Sequence, residues 1–92
     1  MISQSTAMHI AQEFAARYET GWSDRLSWAV RKNVNTEPCW AVVMITACIA
    51  KLHPKEQTPV VLFTLYISMV TRQCLGYEYS SNKKRVFCPY DS

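Results

Sequence analysis

"CWAVVMITACIAKL", Cys39 to Leu52, is the stretch whose reading decides the fold. From Cys39 to Ala50 it carries no charge, and Thr46 is its one strongly polar group. The run between Pro38 and Lys51 is far shorter than the roughly 20 residues of a membrane-spanning helix. A second apolar run, Val60 to Val70, is equally short and includes Thr64 and Ser68. Both runs are rich in β-branched and aromatic residues, and a proline stands before each, so both predict strands. In the first run both alternating rows are apolar: Ala41, Val43, Ile45, Ala47 and Ile49 on one side, Trp40, Val42, Met44, Thr46 and Cys48 on the other. That pattern predicts a central strand with both faces covered.

Upstream, Ala7, Ile10, Ala11, Phe14 and Tyr18 recur at helical spacing, with Gln12, Glu13 and Arg17 on other faces. Ser3 or Ser5 can cap this helix and Gly21 can end it, which predicts a helix over about 6–19. Leu26, Trp28, Val30 and Val34 alternate with Ser27, Ala29, Arg31 and Asn33, a strand over 26–34 with the first row buried. "NTEP", Asn35 to Pro38, is turn material, and the opening run follows as a strand over 39–50. "KLHPKEQTP", Lys51 to Pro59, is a polar connection to a strand over 60–70, and "CLGYEYS" returns as a strand over 74–80. "VFCPY", Val86 to Tyr90, offers an edge strand over 86–88, limited by Pro89. Short connections predict antiparallel pairing. The expectation is a single α+β domain over 1–92: one N-terminal helix packed on a four-stranded antiparallel meander, or a five-stranded one if the edge strand forms.

In the 60–70 strand, Val61, Phe63, Leu65, Ile67 and Met69 form the row assigned to the helix. If the row of Ala41 also faces the helix, then Trp40, Val42, Met44, Leu62 and Tyr66 form an outer apolar patch edged by Arg31 and Arg72. A monomer rarely leaves such a patch bare, and Trp, Tyr, Met and Arg are enriched where proteins meet. The patch is therefore expected to bind a protein partner or a second copy. The competing cover is the chain itself, through Val86, Phe87 and Tyr90 or the loop around Trp22.

Composition narrows the chemistry. The 92 residues are 49% apolar and 18% charged, with a net charge of +3 and two glycines, which excludes a glycine-rich phosphate loop. The start "MISQSTAMHIAQEF" has neither the basic nor the apolar region of a signal peptide, and Cys39, Cys48 and Cys74 sit in apolar runs. Four reduced thiols in the cytoplasm are expected. No CxxC, HxxxH or GxSxG occurs, and the carboxylates are scattered. No metal site, cofactor or catalytic residue is expected, so the chain reads as a non-enzyme. His9 and His53 read as solvent-facing polar residues. "EYSSNKKRVF" supplies the nucleic-acid alternative, with Lys83, Lys84 and Arg85 beside Tyr77 and Tyr79, but no accompanying signature.

The leading helix, the "WAVV" that opens a long strand and "LFTLYISMVTRQCLGYEY" together resemble small bacterial helix-on-sheet proteins. These are the cystatin-like and NTF2-like domains and the immunity proteins built on such scaffolds. The acidic residue and Thr-Gly turn common in the next hairpin are replaced here by Ser68 and Thr71-Arg72-Gln73. The resemblance implies a non-catalytic immunity protein that covers the active or substrate-binding surface of a toxin or effector domain. Trp40, Tyr66 and Arg72 would be its anchors. A homodimeric scaffold is the alternative.

Overall fold

The computed structural model describes residues 1–23, 25, 27–52, 60–81 and 84–89, with the backbone alone at residues 46, 60, 61, 81 and 84–86. Helix α1 (Gln4–Tyr18) precedes five strands: β1 (Trp28–Val34), β2 (Glu37–Ala47), β3 (Val60–Ser68), β4 (Cys74–Ser81) and β5 (Lys84–Pro89). The strands pair in chain order, each antiparallel to the next, and α1 packs on one face. The expected α+β meander is the observed one, and the edge strand forms. Among the described residues no helix is long and apolar enough to cross a membrane.

Local chemistry sets the boundaries. Ser3 is the helix cap, its hydroxyl accepting from the Thr6 N–H at 3.2 Å. The helix ends on Glu19 rather than Gly21: Glu19 adopts a left-handed φ of 54°, and the Thr20 N–H donates to the Ala15 carbonyl at 3.1 Å. Thr20 then accepts from the Cys48 N–H at 2.9 Å, which ties the end of the helix to the end of β2. Asn35 and Thr36, with φ of 50° and 69°, form the two-residue turn between the paired Val34 and Glu37. Positive φ at both central residues matches the twist of the flanking strands.

The helix lies close to the sheet because small residues, Ala7, Ala11 and Ala15, face it together with Phe14. Phe14 lies 6.4 Å from Phe63 by ring centroid, and Phe63 lies 5.5 Å from Tyr77. Opposite these, register aligns Trp40 with Ile67, Val42 with Leu65 and Met44 with Phe63. All six belong to the helix-side core. The expected row of β3 is confirmed at Phe63, Leu65, Ile67 and Met69, whereas the rows of β2 are exchanged over most of the strand. Ala41, Val43 and Ile45 face away from the helix, opposite Tyr66, Thr64 and Leu62. Ala47 and Ile49 do join the helix-side core, at the point where the chain leaves the strand. β1 is also turned over: Ala29 is buried beneath the helix, and Trp28 and Val30 are on the open face, each 42% exposed.

Pro38 sits opposite Met69, and its carbonyl accepts from the Met69 N–H at 3.0 Å. Proline cannot return that bond. The Met69 carbonyl accepts instead from the Ile2 N–H at 3.0 Å, and the Ile2 carbonyl accepts from the Trp40 indole N–H at 3.0 Å. The start of the chain is thereby fastened across β2 and the end of β3.

The Pro38 carbonyl bonds toward β3, so strand alternation aims the backbone groups of Ala29, Arg31 and Asn33 outward from β1. The Gln4 side-chain amide donates to the Ala29 carbonyl at 2.9 Å, and Arg31 and Lys32 are exposed there, so the edge is partly capped and charged.

Candidate protein-binding surface

The face of the sheet opposite α1 has two parts. At one end, Trp28 and Val30 of β1 stand beside Val43 and Ile45 of β2 and Leu62 of β3. The last three are half-buried, so this end is apolar and accessible. At the other end the sheet curls. Flat edge strands of a five-stranded sheet would lie about 19 Å apart. Here Lys32 and Val34 of β1 line the same trough, of ≈ 420 Å³, as Tyr66, Glu78 and Phe87. The curl explains why Cys39, Ala41, Thr64, Tyr66 and Ser68 are buried although the helix covers the other face.

Phe87 lies over Gly76 and 5.7 Å from Tyr66 by ring centroid. A Cβ at Gly76 would come 2.6 Å from the Phe87 ring and 2.8 Å from the Cys88 carbonyl oxygen, so only glycine fits there. β5 therefore supplies part of the cover that the sequence suggested for the C-terminal segment. Tyr90 lies outside the described residues.

Next to the trough a narrower cavity of ≈ 260 Å³ is lined by Val34, Asn35, Glu37, Leu75, Phe87 and Pro89. One carboxyl oxygen of Glu37, Oε2, is buried with no hydrogen-bond partner. Burial, and to a smaller extent the Glu37 charge, push the Cys39 thiol above its ordinary pKa. The Cys39 thiol donates to the Glu37 backbone carbonyl at 3.3 Å.

The expected outer patch is thus only partly assembled. Leu62 and Tyr66 lie on the open face. Trp40, Val42 and Met44 do not: they are buried under the helix, Trp40 only 7% exposed. The physical reason is the indole N–H, which needs a buried acceptor and finds it at Ile2. Arg31 is exposed on the helix side, its guanidinium 5.5 Å from the centre of the Trp40 ring. Arg72 is exposed in the β3–β4 turn with a φ of 66°. Neither borders the patch as expected. The residues missed are Trp28, Val30, Val43 and Ile45, whereas Phe87 was read as part of the chain's own cover. The signal for Trp28 and Val30 was the alternation of β1, and Val43 and Ile45 stand in the row of β2 that was assigned to the helix.

The basic-aromatic alternative is not brought together by the described residues. Tyr77 and Tyr79 are buried in the helix-side core, and burial pushes the Tyr77 hydroxyl up to about 12. Register pairs the backbones of Lys84 and Arg85 with Ser81 and Ser80, while Lys83 lies outside the described residues. His9 pairs with Glu13 at 3.0 Å on the exposed side of α1, and His53 is outside the described residues. Cys39, Cys48, Cys74 and Cys88 are unpaired, and among the described residues no three metal-ligating side chains cluster. A scan of protein-family models, a search of curated proteins and a search of solved structures each returned no match for this chain.

Proposed function

We propose that this chain is a protein-binding module without catalysis of its own, which docks a partner on the open face of its sheet. The observation that carries this reading is the accessible apolar end of that face, where Trp28 and Val30, each 42% exposed, continue into Val43, Ile45 and Leu62. Scattered exposed apolar residues need no explanation, but a contiguous set across three strands is what a partner covers. The partner fitting the chain's size and its helix-on-sheet resemblance is a toxin or effector domain, neutralised when its active or substrate-binding surface is covered. Trp28 is the anchor in this reading, since tryptophan dominates such interfaces.

The test compares tagged wild-type chain with Trp28→Ala and Val30→Asp in source cells and then in a purified mixture. A stoichiometric partner whose own activity the wild type suppresses, and whose affinity Trp28→Ala lowers by about 2 kcal/mol, supports the reading. A partner held equally by all three chains moves the docking surface elsewhere. A concentration-dependent rise to twice the mass, abolished by Val30→Asp, replaces it with a two-fold homodimer. Salt-sensitive recovery of RNA or DNA alone would replace it with nucleic-acid binding.

A further inference from the structure

β1 is an outer strand of the sheet, and its free edge is only partly used. Alternation aims the N–H and C=O groups of Ala29, Arg31 and Asn33 away from β2. The Ala29 carbonyl accepts the Gln4 side-chain amide at 2.9 Å, as it would accept an N–H of a sixth strand. Among the described residues nothing bonds to the outward groups of Arg31 and Asn33. An edge in this state is a template for an added strand. Two cavities lie along it. One, of ≈ 540 Å³, stands at the start of β1 between the strand and α1, with Met8, Trp22, Trp28 and Ala29 in its walls. The other, of ≈ 300 Å³, stands at the end of β1, where Arg31, Lys32 and Asn33 meet Pro38 and Met69.

The first cavity holds three large apolar side chains and the second two cations. Arg31 and Lys32 are exposed and stand in no ion pair: the pairs among the described residues are His9 with Glu13 and Lys51 with Glu19. We propose that this edge takes an extended segment of a protein partner as a sixth strand antiparallel to β1, with an acidic residue opposite Arg31 and a bulky apolar residue opposite Ala29. Main-chain hydrogen bonds hold such a segment, and pockets for alternate side chains select it. The two selected side chains are two residues apart, so both fall on the helix side of the sheet, the acid toward the cationic cavity and the apolar group toward the first. The N–H of the apolar residue takes the Ala29 carbonyl over from Gln4. Unlike charges directly opposed across strands attract, and like charges repel. A second copy of β1 would add its own Arg31 and Lys32 to the two cations already there, so the edge resists self-pairing and favours an acidic segment. This surface goes beyond the open face, since it is read through the backbone of β1 rather than through its outer side chains.

The experiment uses the isolated, isotope-labelled chain and the peptide Ac-Thr-Glu-Asp-Val-Leu-Thr-amide, followed by amide shifts and hydrogen exchange. The expected result is saturable binding that slows exchange at Arg31 and Asn33 by about ten-fold or more, because their outward N–H groups gain acceptors. The same peptide with Gln and Asn in place of its two acids is expected to bind roughly five-fold more weakly. N-methylation of the peptide's Asp, whose N–H faces β1, is expected to abolish binding. N-methylation of its Val, whose N–H faces away, is expected to be tolerated. Arg31→Glu is expected to remove the preference for the acidic peptide. Equal binding of the acidic and amide peptides, equal loss from the two N-methyl groups, or binding that leaves exchange at Arg31 and Asn33 unchanged overturns the proposal. The peptide comparisons alone decide the matter should the variant fail to fold. Because no partner is present, this result is separate from the Val30→Asp test: strand addition with no partner on the open face would keep the edge site and discard the open-face reading.

Discussion

Thr36 and Gly76 show how single positions carry this structure. Thr36 holds a left-handed conformation that glycine adopts without strain, and it is the second central residue of its turn. Thr36→Gly, which creates Asn-Gly, is expected to stabilise the chain by about 1 kcal/mol, read as a higher urea midpoint with an unchanged slope. Gly76 has the opposite character. Gly76→Ala puts a methyl group 2.6 Å from the Phe87 ring and 2.8 Å from backbone, so the ring must swing off Tyr66. Overpacking of this kind is expected to destabilise by about 1–3 kcal/mol. In a double-mutant cycle, Phe87→Ala is expected to recover part of that loss, because the ring is the nearer obstacle.

At the scale of elements, the helix and all the strands were legible, because period and punctuation mark them: Ser3 before the alanine-rich stripe, Asn35-Thr36 between two strands, proline ahead of each apolar run. Their orientation was less legible. Alternation separates two faces, but in β2 both rows are apolar, so composition could not say which meets the helix. The deciding contact, the Trp40 indole to the Ile2 carbonyl, joins residues 38 positions apart and leaves no local trace. In β1 the bulky row looked like the core, whereas a helix presenting Ala7, Ala11 and Ala15 takes the small residue, Ala29, beneath it. β4 carries a pH dependence that sequence could not supply. Burial pushes the Cys74 thiol from 9.0 up to about 12, and the Tyr77 hydroxyl from 10.0 up to about 12. Both shifts favour the protonated group in the folded chain. Their contribution is complete below the unfolded values and is lost as pH rises through the folded ones. The urea midpoint is expected to hold up to about pH 9 and then fall toward pH 12, with Cys74→Ala removing the earlier part of the fall.

Across the whole molecule, each β strand pairs only with its neighbours in sequence, so four antiparallel pairings build the sheet in chain order. The contacts that fasten α1 are of another kind, since Ile2 must find Met69 and Trp40. The Met69 carbonyl is brought into place by the pairing of β2 with β3, and it is left for Ile2 because Pro38 has no N–H to offer it. The receptor for the first residues thus exists only once the middle of the chain has zipped. Assembly is therefore expected to follow an order in which β2 and β3 pair before α1 docks on the sheet. A group fixed that late belongs to the unfolding side of the barrier. Trp40→Phe keeps the ring but leaves the Ile2 carbonyl without its donor, a loss of about 1–2 kcal/mol. It is expected to speed unfolding roughly five- to thirty-fold in stopped-flow measurements while refolding stays near the wild-type rate. The helix precedes all five strands in sequence yet depends on one of the later ones, so on a chain leaving the ribosome its docking is expected to wait until Met69 has emerged.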